Sequence, residues 1–155
     1  MLARAQAVRR GAAVGLRFES TWDGYRFGSY IDGDGDGIRT ADIDGGVDLE
    51  LEPAQRLNDL YPSVRFALES ALPPVEGAHP AGVGFDPIRL GPGDILTYTP
   101  FGTSSSGSLY LRSQGGQQYA IRILGTTGRL RVLRFDWAAG AWSEQWQTAV
   151  CASGR

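Results

Sequence analysis

The sequence that decides the fold is GTSSSGSLYLRSQGGQQYAIRILGTTGRLRV, residues 102–132. Three runs within it alternate apolar with polar side chains, and glycine-containing breaks at 115–116 and 125–128 separate the runs. Alternation with a period of two is typical of a half-buried β-strand, and glycine clusters between such runs mark turns. Residues 102–132 therefore predict a three-stranded antiparallel meander.

The two faces of this predicted meander differ in chemistry. Successive side chains of a strand point to opposite sides, so leucine, tyrosine, isoleucine and valine share one face. The other face carries Arg112, Arg122, Arg129 and Arg131. Because an apolar sheet face must be buried against another element, the sequence also predicts a covering layer.

The composition indicates one globular domain over residues 1–155. Hydrophobic residues make up 42% of the chain and charged residues 21%, values that suit a single hydrophobic core at this length. The 22 glycines and 8 prolines predict many turns and short strands. The net charge of -2 is small, but carboxylates crowd residues 32–52, where Arg39 is the single base.

The first ten residues, MLARAQAVRR, predict the C-terminal turns of a helix. They are good helix formers, and Arg9 and Arg10 suit a helix C-terminus. Gly11 occupies the position where glycine commonly ends a helix. The apolar face of this helix is expected to contain Leu2, Ala5, Val8 and Ala12.

Between this helix and the meander, the sequence predicts further short elements. Residues 13–20 and 25–31 alternate as two strands around Asp23-Gly24, a pair that favours a tight hairpin turn. Residues 47–51 predict another strand, and 53–60 predict a helical turn that a proline opens.

The order of these segments resembles one known family. The segments are ARAQAVRRG at 3–11, AAVGLRF at 12–18, the hairpin, the acidic glycine-rich loop, GTSSSGSLYL at 102–111 and TGRLRV at 127–132. In this order they resemble the soluble domain of the GspH/FimT-like family, the minor pseudopilins of type II secretion and the related minor type IV pilins. The resemblance spans residues 3–132, and its most specific parts are the last two segments.

The resemblance implies an α+β fold that is mostly β, with residues 1–11 as the tail of a pilin-type helix packed on the antiparallel sheets of 12–155. It implies a full-length protein with a prepilin leader and a long apolar helix in the bacterial inner membrane. The domain itself is then expected in the periplasm or in a filament. Its expected partners are other pseudopilin or pilin subunits, and no cofactor is required.

The acidic loop DGDGDG, residues 32–37, suggests calcium binding. Its aspartates stand at positions 1, 3 and 5 of an EF-hand-type loop, and Gly37 stands at position 6, where the loop turns sharply. Position 12, which requires a glutamate, is Ile43. The oxygen ligands that this spacing offers are Asp32, Asp34, Asp36, the carbonyl of Ile38 and, in a bent loop, Asp42. The alternative is an exposed turn without an ion, since Asp-Gly repeats favour such turns.

Arginines suggest an alternative function, a DNA-binding minor type IV pilin for DNA uptake. Guanidinium groups that alternate along a strand can follow phosphates. The candidates are Arg122, Arg129, Arg131 and Arg134. The acidic overall balance and cross-strand pairing with carboxylates argue against this function. A third possibility is a calcium-stiffened β-domain that binds an unrelated ligand.

No catalytic constellation is evident in the sequence. The serines at 104–106 do not match the G-x-S-x-G spacing of a nucleophile elbow. Cys151 lies near a polar terminus, and the single histidine, His79, lies in a proline-rich segment. Trp142 and Trp146 are candidates for a docking patch, although tryptophan more often covers a core. The sequence therefore indicates a structural, non-enzymatic protein.

Overall fold

Two antiparallel sheets and an N-terminal helix make up the structure, a computed structural model that describes residues 2–69, 71–75 and 85–145. The elements, in chain order, are α1 (Leu2–Arg10), β1 (Val14–Thr21), β2 (Gly24–Ile31), α2 (Thr40–Gly45), β3 (Leu49–Arg56), α3 (Leu57–Leu60), β4 (Val64–Phe66), β5 (Ile88–Arg89), β6 (Ile95–Tyr98), β7 (Gly107–Ser113), β8 (Gln118–Leu124), β9 (Arg129–Asp136) and β10 (Ala141–Glu144).

The sheets differ in strand order. The first has the order β3-β2-β1-β6, and the second has the order β10-β9-β8-β7-β4, with β5 also paired to β7. Every pair is antiparallel. The predicted α+β, mostly β architecture is therefore confirmed.

The predicted meander consists of β7, β8 and β9. Its register aligns Leu109 with Ile121 and Ile121 with Val132, so these apolar side chains share one face. The predicted hairpin is also present, with Thr21 opposite Gly24 at its turn. Both predictions succeed because strand alternation and turn glycines are local signals.

The apolar face of the meander is covered by α1 together with the first sheet. Ala7 of α1 and Phe18 of β1 belong to the same core cluster as Leu109 and Ile123 of the meander. The ring of Phe18 meets that of Phe66 edge to face, with centroids 5.5 Å apart and an interplanar angle of 89°. The covering layer, which the family resemblance assigned to the helix, thus also includes β1 and its neighbours.

The helix ends where predicted but buries a different face. Gly11 has φ +65°, and its N–H donates to the carbonyl of Ala7 at 3.0 Å. The buried residues are Ala3 and Ala7, whereas Leu2 and Val8 are 63% and 57% exposed. The predicted Leu2 and Val8 face is therefore wrong. The pair that faces the sheet is spaced i, i+4, and both of its side chains are small enough for close approach.

The structure differs from the strand predictions in two ways. Strand β3 continues through Pro53 to Arg56, so the helical turn α3 begins only at Leu57. Proline is accepted there because β3 is an edge strand, whose outer side needs no N–H donor, and a register irregularity accompanies it. The structure also contains β10, which the sequence did not predict.

The second face of the meander is not an arginine surface throughout. Tyr110 and Ala120 are fully buried there, and Leu133 and Phe135 are almost fully buried. They form a second core cluster with Leu68, Leu72 and Val75. The polar side chains on this face therefore lie around an apolar centre.

Candidate functional site

The acidic loop between β2 and α2 brings three carboxylates together. Oxygens of Asp32, Asp34 and Asp36 lie within 4.8 Å of one another. Asp32 is half-buried, and Asp34 and Asp36 are exposed. Oxygen ligands of this kind suit a hard cation such as Ca²⁺, which takes 6–8 of them. The donor set therefore fits the predicted ion, with waters and backbone oxygens needed to complete its coordination.

Asp32 shapes the loop through its own carboxylate. Oδ1 accepts hydrogen bonds from the N–H groups of Asp34 at 3.2 Å and Gly35 at 2.7 Å. Oδ2 accepts one from the N–H of Gly37 at 3.0 Å. Desolvation raises the pKa of Asp32, but these backbone donors outweigh it, so the pKa lies below 3.8. The group is therefore a stable anion at neutral pH, with lone pairs left for a cation.

Asp48 closes the loop from β3's side, a role that the sequence did not predict. It is 2% exposed, and its carboxylate accepts hydrogen bonds from the N–H groups of Gly33 and Arg39, both at 3.1 Å. A Cβ on Gly33 would lie 2.0 Å from the carbonyl oxygen of Val47, so only glycine fits at this crossing. No sequence spacing predicts this role, because the contact forms only when the segment after α2 folds back beside the acidic loop.

The carboxylate of Asp36 experiences opposing charges. Desolvation and the neighbouring carboxylates of Asp34 and Asp42 raise its pKa, whereas the guanidinium of Arg39 opposes the rise. Arg39 Nη1 lies 2.5 Å from Asp36 Oδ2. A divalent cation would relieve the repulsion among these carboxylates.

The two remaining predicted ligands are placed differently. Asp42 lies in α2 and is not part of the group of carboxylates that converges among the described residues. The carbonyl of Asp42 instead accepts the N–H groups of Val47 and Asp48, at 2.8 and 3.1 Å. The side chain of Ile38 is buried with Ala13 and Ile95. The structure thus unites Asp32, Asp34 and Asp36 by their side chains and separates Asp42 from them, whereas the carbonyl of Ile38 as a ligand stays a prediction.

The predicted arginine surface is divided by the register. Arg122 and Arg131 are cross-strand partners and share a face with Arg129. Arg134 stands three positions after Arg131 on the same strand, and this odd offset places it on the opposite face. The grouping of Arg134 with the other three is therefore wrong. Arg131 Nη2 lies 2.9 Å from Glu144 Oε2, and Arg122 Nη1 donates to Ser108 Oγ at 3.3 Å. This face is partly neutralised.

The serines of residues 104–106 bond to the backbone. Ser105 Oγ donates to the carbonyl of Ile95 at 3.2 Å and accepts the N–H of Thr97 at 2.9 Å. Ser106 Oγ accepts the N–H of Gly125 at 3.0 Å. These hydroxyls join β6, the loop before β7 and the β8–β9 turn. His79 and Cys151, the other residues considered for catalysis, lie outside the described residues.

Trp142 belongs to the second core cluster rather than to a docking patch. Its ring lies 5.2 Å from that of Phe135 and 5.8 Å from that of Tyr110, and its Nε1–H donates to the carbonyl of Pro73 at 2.8 Å. The indole therefore attaches β10 to the segment at 71–75. Trp146 lies outside the described residues.

A comparison with protein families identifies the chain. The family model described as type II transport protein GspH matches residues 1–128 of the 155. The chain belongs to the GspH family. The GspH match covers α1 to β8, including the acidic loop, and confirms the resemblance drawn from the order of the sequence segments. Arg129, Arg131 and Arg134 lie beyond it.

Two further observations complete the comparison of this GspH-family chain. Searches among curated proteins and among solved structures found no match. Within the described residues, no helix has the length and hydrophobicity needed to cross a membrane.

Proposed function

We propose that this chain is the periplasmic domain of a structural minor pseudopilin, which assembles with other pseudopilins into a type II secretion filament. The observation that carries the proposal is the GspH family match over residues 1–128. An apolar helix that precedes α1 would anchor the full-length protein in the inner membrane, and the domain would then act through contacts with its neighbours.

The fold supports a role in packing rather than in catalysis. Two sheets share the core that contains Phe18 and Leu109, and the hairpin turn and the acidic loop both extend from strands of the first sheet. The hydroxyls of Ser105 and Ser106 are engaged by backbone groups. Binding surfaces on loops of a rigid scaffold are common in proteins that act by assembly.

Genetic complementation of the full-length protein tests this function. Deleting its gene should stop export of type II substrates, and a plasmid copy should restore it. The domain over residues 1–155 should also co-purify with the soluble domain of at least one other pseudopilin of the same system. Unchanged export in the deletion strain, together with no co-purification, would exclude the role.

We propose in addition that the acidic loop binds Ca²⁺. The support is the convergence of Asp32, Asp34 and Asp36 within 4.8 Å, which brings three carboxylate ligands of the kind that Ca²⁺ prefers beside one another. The ion would fix the loop that connects β2 to α2. Calcium would act here as a structural element, since no reacting group is needed for assembly.

A further inference from the structure

A polar pocket of about 660 Å³ lies at the edge of the second sheet, where β4 pairs with β7. Asn58 and Ser63, which precede β4, line one side of it, and Gln114 and Gly116, which follow β7, line the other. The N–H of Gln114 donates to the carbonyl of Ser63 at 2.9 Å, so the backbone joins the two sides. The volume is within the range of small-ligand sites.

The charges in this pocket do not balance. The charged side chains that line it, among the described residues, are those of Arg65, Arg112 and Glu69. Arg65 and Arg112 are cross-strand partners, so they leave the sheet on the same face, where like charges repel. Glu69 pairs with Nη1 of Arg112 and offsets one of the two positive charges. The other positive charge has no lining carboxylate to oppose it.

The unopposed charge belongs to Arg65, and it lies among other unused donors. The guanidinium of Arg65 has no hydrogen-bond or ion-pair partner within residues 2–69, 71–75 and 85–145. The side-chain amide of Asn58 and the hydroxyl of Ser63 have none there either. All three residues are exposed, so a ligand from solution can reach their side chains directly.

This set of donors favours a carboxylate as the ligand. The planar guanidinium group presents two parallel N–H donors, which match the two oxygens of a carboxylate. A carboxylate carries one negative charge and would therefore neutralise the pocket. A phosphate group carries about 1.5–2 negative charges at pH 7, and the excess would lie against Glu69.

We propose that this pocket binds one carboxylate group, with Arg65 as its main partner and with Asn58 and Ser63 as further donors. The pocket is larger than a carboxylate alone, so the group would belong to a larger molecule. Its source is either an acidic side chain of another protein or a small organic acid. The binding goes beyond the proposed function, because it is a property of the isolated chain and requires no filament.

NMR titration of the purified chain, residues 1–155, tests the site. Sodium acetate should produce saturable shifts of the Arg65 side-chain signals at constant ionic strength, with a Kd on the order of 10 mM, as suits one exposed ion pair. Inorganic phosphate should bind more weakly than acetate. A capped Gly-Glu-Gly peptide that binds more tightly than acetate identifies a protein segment as the source, and equal binding identifies a small organic acid. The neutral peptide Gly-Gln-Gly should not bind.

Three variants assign the binding to this pocket. Arg65→Gln should weaken acetate binding about tenfold, because it removes the charged fork, and its Tm should stay unchanged because the side chain is exposed. Glu69→Gln should strengthen binding about threefold, because it removes the competing carboxylate. Arg134→Gln is the matched control, an exposed arginine of the same sheet outside the pocket, and should bind acetate like the unmodified chain.

Three results would overturn the proposal. They are the absence of a saturable response to acetate, phosphate binding tighter than acetate, and Arg65→Gln binding acetate as well as the unmodified chain does. Export measured in the complementation assay would still report on the proposed function, so failure of one is distinguishable from failure of the other.

Discussion

The carboxylate of Asp48 accepts a hydrogen bond from the backbone N–H of Gly33 at 3.1 Å. Its other oxygen accepts the N–H of Arg39 at 3.1 Å, so one buried side chain closes the acidic loop at both of its ends. The loop is therefore held by a residue outside the DGDGDG sequence.

Replacing Asp48 should destabilise the protein. Asp48→Ala removes two charge-assisted hydrogen bonds and leaves two backbone donors without their acceptor, which corresponds to a loss of about 2–4 kcal/mol in the free energy of unfolding. Urea denaturation measures this loss. The control is Glu50→Ala, two residues further along the chain in β3, where the side chain is exposed; it should change stability by less than about 0.5 kcal/mol. Equal effects of the two substitutions would contradict the role of Asp48.

Calcium should stabilise the chain through the acidic loop. With free Ca²⁺ at about 100 times its Kd, binding to the native state alone adds about 2.7 kcal/mol to the free energy of unfolding. Isothermal titration and thermal unfolding of chelator-treated protein measure the effect. Asp34→Asn should reduce it strongly, whereas Glu50→Gln should leave it unchanged. If neither heat nor a shift in Tm accompanies calcium addition, the loop is an ordinary turn.

The pH dependence of stability should follow the two shifted carboxyls of the loop. The folded pKa of Asp32 is below 3.8, so its stabilising contribution is present above that pH and is lost as the pH falls through the folded value. The folded pKa of Asp36 is above 3.8, so acidification from neutral pH first favours the folded state there. Asp32→Asn should flatten the loss below pH 3.8 in urea denaturation without calcium. If Asp32→Asn loses stability at acidic pH as steeply as the unmodified chain, Asp32 is not the group responsible for that loss.

Gln118 should be important for attaching the segment around Glu69 to the meander. Its fully buried amide donates to the carbonyls of Ala67 at 2.9 Å and Leu111 at 2.8 Å, and it accepts the N–H of Glu69 at 3.2 Å. Gln118→Leu should cost about 3 kcal/mol, because it leaves three partly buried backbone groups without these hydrogen bonds. The neighbouring Gln117 is exposed, and Gln117→Leu is the control. Hydrogen exchange at Glu69 should rise only in the first variant.

DNA binding through the arginine face should be weak or absent. The register separates Arg134 from Arg129 and Arg131, and Glu144 lies against Arg131. The contiguous positive surface is therefore smaller than the sequence suggested. A mobility-shift assay at about 50 mM salt, where phosphate contacts are strong, should show no retention of duplex DNA. Retention that Arg129→Ala abolishes would support the DNA-uptake alternative instead.

The sequence by itself determined the local elements of this protein. The alternation in 102–132 specified β7, β8 and β9, and Gly11 specified the end of α1. The first hairpin was also predicted, although its two turn residues are Trp22 and Asp23, and Gly24 is already paired with Thr21. These signals succeed because periodicity and turn chemistry depend on neighbours only a few residues away. The convergence of the three loop aspartates has the same origin.

Only the tertiary structure decided which surfaces meet. Ala3 and Ala7, rather than Leu2, face the sheet because close packing of α1 against it selects small side chains. Asp48 closes the acidic loop because the chain folds back after α2 and places Asp48 beside Gly33. Trp142 packs against the second core cluster because the strands that carry the cluster lie next to one another in the sheet. Such contacts depend on strand pairing and on the packing of two sheets, which no short window of sequence specifies.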